Sequence, residues 1–189
     1  TRRFFLACLL LNLGILAVIK YTDFFISNIN GIFGTDLAFM RFALPMGISF
    51  YTFQSMGYLI DVYRGKYPAQ DSLGKFALFV SFFPQVVQGP ISRYDDLAQT
   101  LYEEHPYDHR NISFGIQRIC WGFFKKMVIA DRLLVAVNEL IQNPAEYTGA
   151  YVLVAMFLYA IELYGDFTGG IDITIGIAQV FGIKLVENF

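Results

Sequence analysis

Two carboxylates inside an apolar stretch are the first candidates for chemistry. Asp166 and Asp172 flank the string Phe-Thr-Gly-Gly between two strongly apolar segments. A carboxylate at membrane depth is costly, so each should be paired or in contact with water. Either they take a direct part in an active site, orienting a base or binding an acceptor, or they cap a helix that begins near Ile171 or pair with Arg or Lys. The spacing Gly165-x-x-x-Gly169 permits close helix packing.

A second polar group interrupts another apolar segment. Four residues break the run at residues 76–91: Gln85, Gln88, Gly89 and Pro90. They either line a cavity and offer free backbone groups to a carbonyl, or form a kink whose freed carbonyls the two glutamines satisfy. Arg93 follows at once, and it could meet a phosphate or carboxylate or pair with Asp95 or Asp96.

The histidines and cysteines are weaker candidates. His105 and His109 share one polar loop, and a metal site would need more ligands in a tighter constellation. We predict that both are solvated loop residues, and we predict no metal site. Cys8 and Cys120 both lie in apolar runs, which predicts buried free thiols.

The composition points to a membrane protein. Of the 189 residues, 56% are hydrophobic and only 16% are charged. A soluble domain usually has about 25% charged residues, and the mean hydropathy of +0.47 points the same way. The net charge of −2 gives no nucleic-acid footprint. The chain begins at Thr1 and ends at Phe189 without polar tails, which we interpret as the ends of an internal fragment.

The predicted fold is all-α, with about four membrane segments and one amphipathic helix. The spans are drawn from apolar runs at residues 4–19, 42–63, 76–91, 147–164 and 171–186. Residues 21–41 are predicted as a loop with a short interfacial helix, because Asn28, Asn30 and two glycines should break a helix. Pro45 would then lie in the first turn of the second span.

The remaining segments follow from breakers and caps. Residues 76–91 are either a broken span or a re-entrant hairpin, and residues 165–170 are predicted as a break before the last helix. Residues 113–142 are predicted as a helix lying along the membrane interface, with Ser113 as its N-cap. Asn143-Pro144 should stop this helix.

Four strings, taken together and in order, are specific. They are LPMGISFYTFQS at residues 44–55, FFPQVVQGPISR at 82–93, GFFKKMVIAD at 122–131 and YGDFTGGIDITIG at 164–176. In this order they resemble the membrane-bound O-acyltransferase family, in its alginate O-acetyltransferase branch. The resemblance covers nearly the whole chain, which would form a single partial membrane domain over residues 1–189.

The resemblance implies a helical ring around a tunnel, in which an acyl group passes from a cytoplasmic donor to an extracytoplasmic sugar hydroxyl. Gln85, Gln88, Gly89, Pro90, Arg93 and Thr168 are then tunnel candidates. Lys125 and Lys126 are candidates to contact either an anionic acyl donor, such as coenzyme A or a carrier protein, or lipid headgroups. The donor thioester would be a co-substrate, with no resident cofactor.

The family resemblance places the catalytic histidine outside this chain. Family members are more than twice as long, and neither His105 nor His109 matches their histidine positions. Asp166 and Asp172 could then support a base supplied by a later segment, and the chain alone should be inactive. The resemblance implies a multi-pass protein of the cytoplasmic membrane with a polysaccharide acceptor, a donor carrier protein and extracytoplasmic acetylation partners.

Two other functions stay open at this point. The first, within the same family, is D-alanyl transfer to teichoic acid. The second is a non-catalytic membrane transporter or scaffold, since broken helices with buried acids are also typical of transporters. An inverted repeat would favour a transporter, and the sequence shows none.

Overall fold

The computed structural model describes residues 2–187, and these residues form helices and no strand, as predicted. Their contacts divide into two compact units. The first comprises the described residues up to Phe82 together with Arg93–Asp95. The second comprises Phe83–Ser92 and the described residues from Asp96 onward.

The first unit contains an antiparallel helix pair. Its helices are α1 (Arg2–Phe33), α2 (Ile48–Tyr63) and α3 (Leu73–Val80). The rings of Phe5 and Tyr63 stack with centroids 4.1 Å apart, and the Lys20 ammonium lies 3.4 Å from the Ser49 hydroxyl. The polar residues Thr52 and Gln54 of α2 are buried.

The predicted loop at residues 21–41 is wrong in its first half, since α1 continues to Phe33. The two asparagines do not break the helix because their side chains are satisfied locally. The Asn28 amide donates to the Phe24 carbonyl at 2.7 Å, and the Asn30 side-chain oxygen accepts from the Leu37 backbone N–H at 2.9 Å.

The predicted start of the second span is also wrong. Pro45 precedes the helix, and α2 begins only at Ile48, after Gly47 in the left-handed conformation at φ 74°. The segment between α1 and α2 is instead held by Asp23, whose carboxylate accepts the backbone N–H groups of Met40 and Arg41. These backbone N–H groups bond to a side chain of α1, so they are satisfied without a helical turn in this segment.

The first unit also contains an aromatic cluster and an ion pair. The Tyr58 and Tyr94 rings meet at 4.8 Å, and the Gln70 backbone and side chain donate to their two hydroxyls. The Lys66 ammonium lies 2.6 Å from the Asp95 carboxylate. Asp95 therefore pairs with Lys66 and not with Arg93.

The second unit holds most of the remaining helices. They are α4 (Phe83–Gln88), α6 (His109–Phe124), a π-helical segment (Lys125–Ala130), α7 (Asp131–Gln142) and α8 (Ala150–Val180). Another helix, α5 (Tyr94–Leu101), begins in the first unit and continues in the second. The apolar run at residues 76–91 is broken into α3 and α4, as predicted.

The long helix predicted at residues 113–142 is confirmed as α6, the π-helical segment and α7 in sequence. Its predicted cap is wrong, because the helix begins at His109 and the Asp108 carboxylate accepts the Arg110 backbone N–H at 2.9 Å. The helix stops at Gln142, before Asn143-Pro144, as predicted. Its location along the membrane interface stays a prediction.

The predicted break at residues 165–170 is wrong, and the last predicted helix is part of α8. The helix runs without interruption from Ala150 to Val180. Its glycines are contact points rather than breaks, because α8 packs antiparallel to α6 with Gly176 against Gly115 and Gly169 against Gly122. A Cβ atom at Gly122 would lie 2.6 Å from the Gly169 carbonyl oxygen.

Two helices among the described residues are long and apolar enough to cross a membrane, α1 and α8. The other helices predicted as spans are shorter, since α2 has 16 residues and α3 and α4 have 8 and 6. The helical ring implied by the family resemblance stays a prediction.

The hydrogen bond from Lys66 holds the pKa of Asp95 below its ordinary value. The stability this provides is present above the unfolded-state pKa of about 3.9 and is lost as the pH falls through the lower folded-state pKa. We therefore expect the first unit to lose stability below about pH 4, and Asp95→Asn to flatten that dependence.

Denaturant titrations of the protein at several pH values between about 5 and about 2 measure this dependence. The control is Asp71→Asn, which changes an exposed aspartate in the same unit. An identical acid slope in the Asp95 variant and the wild type would contradict the interpretation.

The glycine contacts predict a strong effect of a single methyl group. We expect Gly122→Ala to cost roughly 1–3 kcal/mol, because the new Cβ would overlap the α8 backbone. Gly57→Ala is the matched control, since that helical glycine has nothing within 4 Å of the added Cβ. The free energy of unfolding in mixed detergent micelles should be lower than the wild-type value for Gly122→Ala and higher for Gly57→Ala.

Candidate functional site

The predicted acid Asp172 lies at the centre of an ion-pair group within the second unit. Its carboxylate accepts from the Arg118 Nε at 3.0 Å and from the Lys125 Nζ at 2.5 Å. The side chains of Asp172 and Lys125 are each only 15% exposed. Arg118 also pairs with Glu187 at 2.7 Å. These contacts tie α6, the π-helical segment, α8 and the stretch after α8 together.

The second predicted acid, Asp166, forms a more exposed group. The Lys126 Nζ lies 2.5 Å from Asp166 and 2.9 Å from Asp131. All three side chains are more than a third exposed: Asp166 by 35%, Lys126 by 41% and Asp131 by 45%. Pairing with Arg or Lys is therefore the structural role that both predicted acids adopt. The capping alternative is wrong, because both residues lie inside α8.

Two neighbouring lysines of the π-helical segment reach acids six positions apart on α8. A π-turn takes one more residue than an α-turn, so it changes the direction in which successive side chains point. Lys125 and Lys126 open this segment, and one reaches Asp172 while the other reaches Asp166. Their predicted contact with an acyl donor or with lipid headgroups stays a prediction.

The polar residues around α4 form the kink that the sequence left open as one alternative, in which a glutamine satisfies a freed carbonyl. Gln85 is fully buried, and its amide donates to the Pro90 carbonyl, so one glutamine satisfies a freed backbone group. Its side-chain oxygen has no hydrogen-bond partner among residues 2–187. Gln88 packs its amide onto Gly170 of α8, where an added Cβ would overlap it. Gly89 lies close to the backbone of Gln85.

The other two tunnel candidates are Thr168 and Arg93. The Thr168 hydroxyl donates to the Tyr164 carbonyl at 2.7 Å, within α8. Arg93 belongs to the first unit and is exposed. A role of these residues in lining a tunnel stays a prediction, as it does for Gln85, Gln88, Gly89 and Pro90.

A polar cleft opens beside the Asp172 group. It has a volume of about 820 Å³ and is lined by α5, α6, the end of α8 and the stretch that follows α8. Sequence reasoning missed its polar residues, which are Asp96, Gln99, Thr100, Asn111, Arg118, Gln179, Lys184 and Glu187. One signal was available, because Arg118 is a basic residue within the apolar pattern of the long helix.

The histidines and cysteines are placed in part as predicted. His105 and His109 are both exposed, and the His105 Nε2 contacts the Thr100 carbonyl at 2.5 Å. The two cysteines are free, but the prediction that they are buried is wrong. Cys8 is half-buried and Cys120 is exposed.

Comparisons with known proteins find relatives that match most of the chain. No family model matches the chain. It is 39% identical over 184 residues to a probable alginate O-acetylase of Pseudomonas putida, covering 94% of this chain and 37% of that protein. It is 31% identical over 207 residues to a peptidoglycan O-acetyltransferase of Helicobacter pylori, covering 96% and 39%.

A third relative is a teichoic acid D-alanyltransferase of Bacillus subtilis. It is 30% identical over 151 residues, which cover 76% of this chain and 37% of that protein. The chain thus spans little more than a third of the length of the curated relatives it matches.

The pairing of Asp172 predicts a large stability cost when its charge is removed. We expect Asp172→Asn to destabilise the protein by about 3 kcal/mol, because the variant leaves Lys125 and Arg118 partly buried without their acid. Asp131→Asn is the matched control, since that carboxylate is 45% exposed and should cost under about 1 kcal/mol.

A double variant separates the ion pair from the residue itself. Lys125→Met combined with Asp172→Leu should recover part of the loss, because a buried ion pair replaced by apolar residues often costs little. Chemical denaturation in micelles gives the coupling free energy. Additive effects of the two changes would refute a direct Lys125–Asp172 interaction.

Proposed function

The chain belongs to the membrane-bound O-acyltransferase family, and we propose that it forms part of an enzyme that acetylates a hydroxyl of an exported or cell-wall polysaccharide. The observation that carries this proposal is the similarity to the O-acetylase of Pseudomonas putida over 94% of the chain. The peptidoglycan O-acetyltransferase of Helicobacter pylori supports a saccharide acceptor and an acetyl group as cargo.

Transfer of an acetyl group to a hydroxyl needs a base for the hydroxyl proton and groups that stabilise the oxyanion. Both oxygens of the Asp172 carboxylate already accept from cations, one from Arg118 and one from Lys125. We assign Asp172 and Asp166 to positioning, and we assign the base to a part of the protein outside this chain. The cations that pair with the two acids then neutralise their charge along the α6–α8 contact.

The donor and the partners follow from the same reaction. A thioester, either acetyl-coenzyme A or an acyl carrier, would supply the acetyl group as a co-substrate, with no resident cofactor. The apolar helices α1 and α8 fit a multi-pass protein of the cytoplasmic membrane. We expect a carrier protein on the donor side and acetylation partners on the extracytoplasmic side.

D-alanyl transfer to teichoic acid is the second candidate function. The match to the enzyme of Bacillus subtilis favours it, since it also uses an acyl group and a hydroxyl acceptor polymer. That match covers 76% of the chain, against 94% for the alginate O-acetylase. Acetyl transfer is therefore the function that the comparisons support best.

The test uses the full-length protein in a bacterial strain that lacks polysaccharide O-acetylation. The wild-type protein should restore ester-linked acetate on the polymer, and the 189-residue chain alone should not. Asp166→Asn in the full-length protein should lower acetylation about tenfold or more, because small displacements of positioned groups are costly. Asp95→Asn should leave acetylation near the wild-type level.

Acetate released by mild alkali, normalised to membrane abundance, measures the outcome. Esterified D-alanine in place of acetate would favour the second candidate function. Equal effects of Asp166→Asn and Asp95→Asn would remove Asp166 from the site, and restoration by the 189-residue chain would refute the assignment of the base.

A further inference from the structure

The end of α8 is built to let the chain change direction. The backbone N–H of Ile183 donates to the Ala178 carbonyl at 2.9 Å. The backbone N–H of Gly182 donates to the Gln179 carbonyl, also at 2.9 Å. Gly182 has a φ of 78°, the left-handed conformation in which this pair of hydrogen bonds forms. The helix therefore ends in a Schellman motif, after which the chain leaves the helix axis.

The residues after α8 follow a defined path, and we call residues 181–187 the return stretch. The Lys184 backbone N–H donates to a hydroxyl of α5 at 3.2 Å. The Leu185 side chain is only 3% exposed. The Glu187 carboxylate accepts from the Arg118 guanidinium of α6 at 2.7 Å. Three different kinds of contact, two polar and one apolar, thus hold this stretch against the helices of its own unit.

The return stretch leads back to Asp172. One guanidinium, that of Arg118, contacts both Asp172 and Glu187. Asp172 lies eight residues before Val180, where α8 ends, which is about 12 Å back along the helix axis. Because a single guanidinium reaches both acids, Glu187 lies near Asp172 and not beyond the end of the helix. The return stretch therefore runs antiparallel to the last two turns of α8.

The bridge from Arg118 to Glu187 contributes to geometry more than to stability. The Glu187 side chain is 60% exposed, and an ion pair with so exposed an acid adds little to stability. The Arg118 Nε donates to Asp172, which is only 15% exposed, and a terminal N–H group donates to Glu187. Since the guanidinium is planar with rigidly spaced donors, two acids bonded to it fix its orientation.

We propose that Arg118 and Glu187 are positioning residues for the acetyl transfer, and that their bridge anchors the return stretch beside Asp172. The inference rests on the proposed function, in which the base comes from a part of the protein outside this chain. The bridge then fixes the point from which the full-length chain continues, next to an acid of α8. Without Glu187, both the return stretch and one side of the Arg118 guanidinium lose their support.

Acetylation by the full-length protein, in the strain that lacks polysaccharide O-acetylation, tests the positioning role. We expect Glu187→Ala to lower ester-linked acetate about tenfold, because small displacements of reacting groups are costly. Its membrane abundance should stay unchanged, since the lost ion pair is exposed. Glu187→Gln keeps an oxygen that accepts from Arg118 and should lower acetate less, roughly threefold.

Glu104→Ala is the matched control, because it removes an exposed glutamate of the same unit. It should acetylate at the wild-type level. Equal acetylation by Glu187→Ala and the wild type would overturn the positioning role. A loss of acetate that only follows a loss of membrane abundance would overturn it too, and would assign the bridge to stability.

Spin labels test the path of the return stretch without acetyl transfer. Labels at Val186→Cys and Gln142→Cys, in a full-length protein without other cysteines, report the distance from the return stretch to α7. Both positions are exposed. Double electron–electron resonance should give one narrow distance distribution, which Glu187→Ala broadens and Glu104→Ala leaves unchanged. The same narrow distribution with and without Glu187 would overturn the anchoring of the stretch.

The two measurements separate this inference from the proposed function. If the wild-type protein acetylates no polymer and the distance still depends on Glu187, the anchored stretch is retained and the proposed acetyl transfer is refuted. If the protein acetylates its polymer and neither measurement responds to Glu187→Ala, the positioning role is refuted and the proposed function is retained.

Discussion

The close approach of the α6 and α8 backbones is the constraint on which the second unit depends. At Gly122 and Gly169, and again at Gly115 and Gly176, no Cβ atom can be accommodated without overlap with the facing backbone. Helices that associate within a bilayer gain little from apolar burial, because lipid tails are as apolar as the side chains. Contact between small residues brings the dispersion attraction and the electrostatic interactions of the two backbones into range, and the rest of the unit is built around that contact.

The ion pairs lie along the same α6–α8 contact. Asp166 and Asp172 lie on α8, while Lys125 and Lys126 lie on the facing element at 2.5 Å from them. A lone carboxylate on an apolar helix would need water or protonation, and a lone lysine would need to reach the headgroups. When glycines draw the helices together, acids and bases of opposite charge neutralise each other.

The sequence predicted the types of residue in the site better than their geometry. Asp166, Asp172, Lys125 and Lys126 were all singled out, and the structure brings them together in pairs. Their pairing could not be predicted because it depends on the register of two helices and on a π-turn that leaves no clear pattern in the sequence. Arg118 was missed as a partner for the same reason.

Two errors in the fold, the loop at residues 21–41 and the break at residues 165–170, arise because glycine and asparagine can each play two roles in apolar segments. A glycine frees the backbone to turn, but inside a helix it also lets another helix approach, and residues 165–170 serve the second purpose. Asn28 competes with the helix backbone in a loop, yet inside α1 its amide donates to the carbonyl one turn earlier. Tertiary contacts decide between these roles, so local sequence cannot.

The distribution of polar groups also bears on where the chemistry can take place. His105 contacts the segment just beyond α8, near Gly182, whereas Asp166 lies fourteen residues before the helix ends at Val180, about 21 Å along its axis. Neither histidine of this chain can therefore serve a reaction centred on Asp166. Asp166 and Asp172 are held by lysines and an arginine, whereas several amides line the cleft near the end of α8. This arrangement agrees with the positioning role that we propose for the two acids.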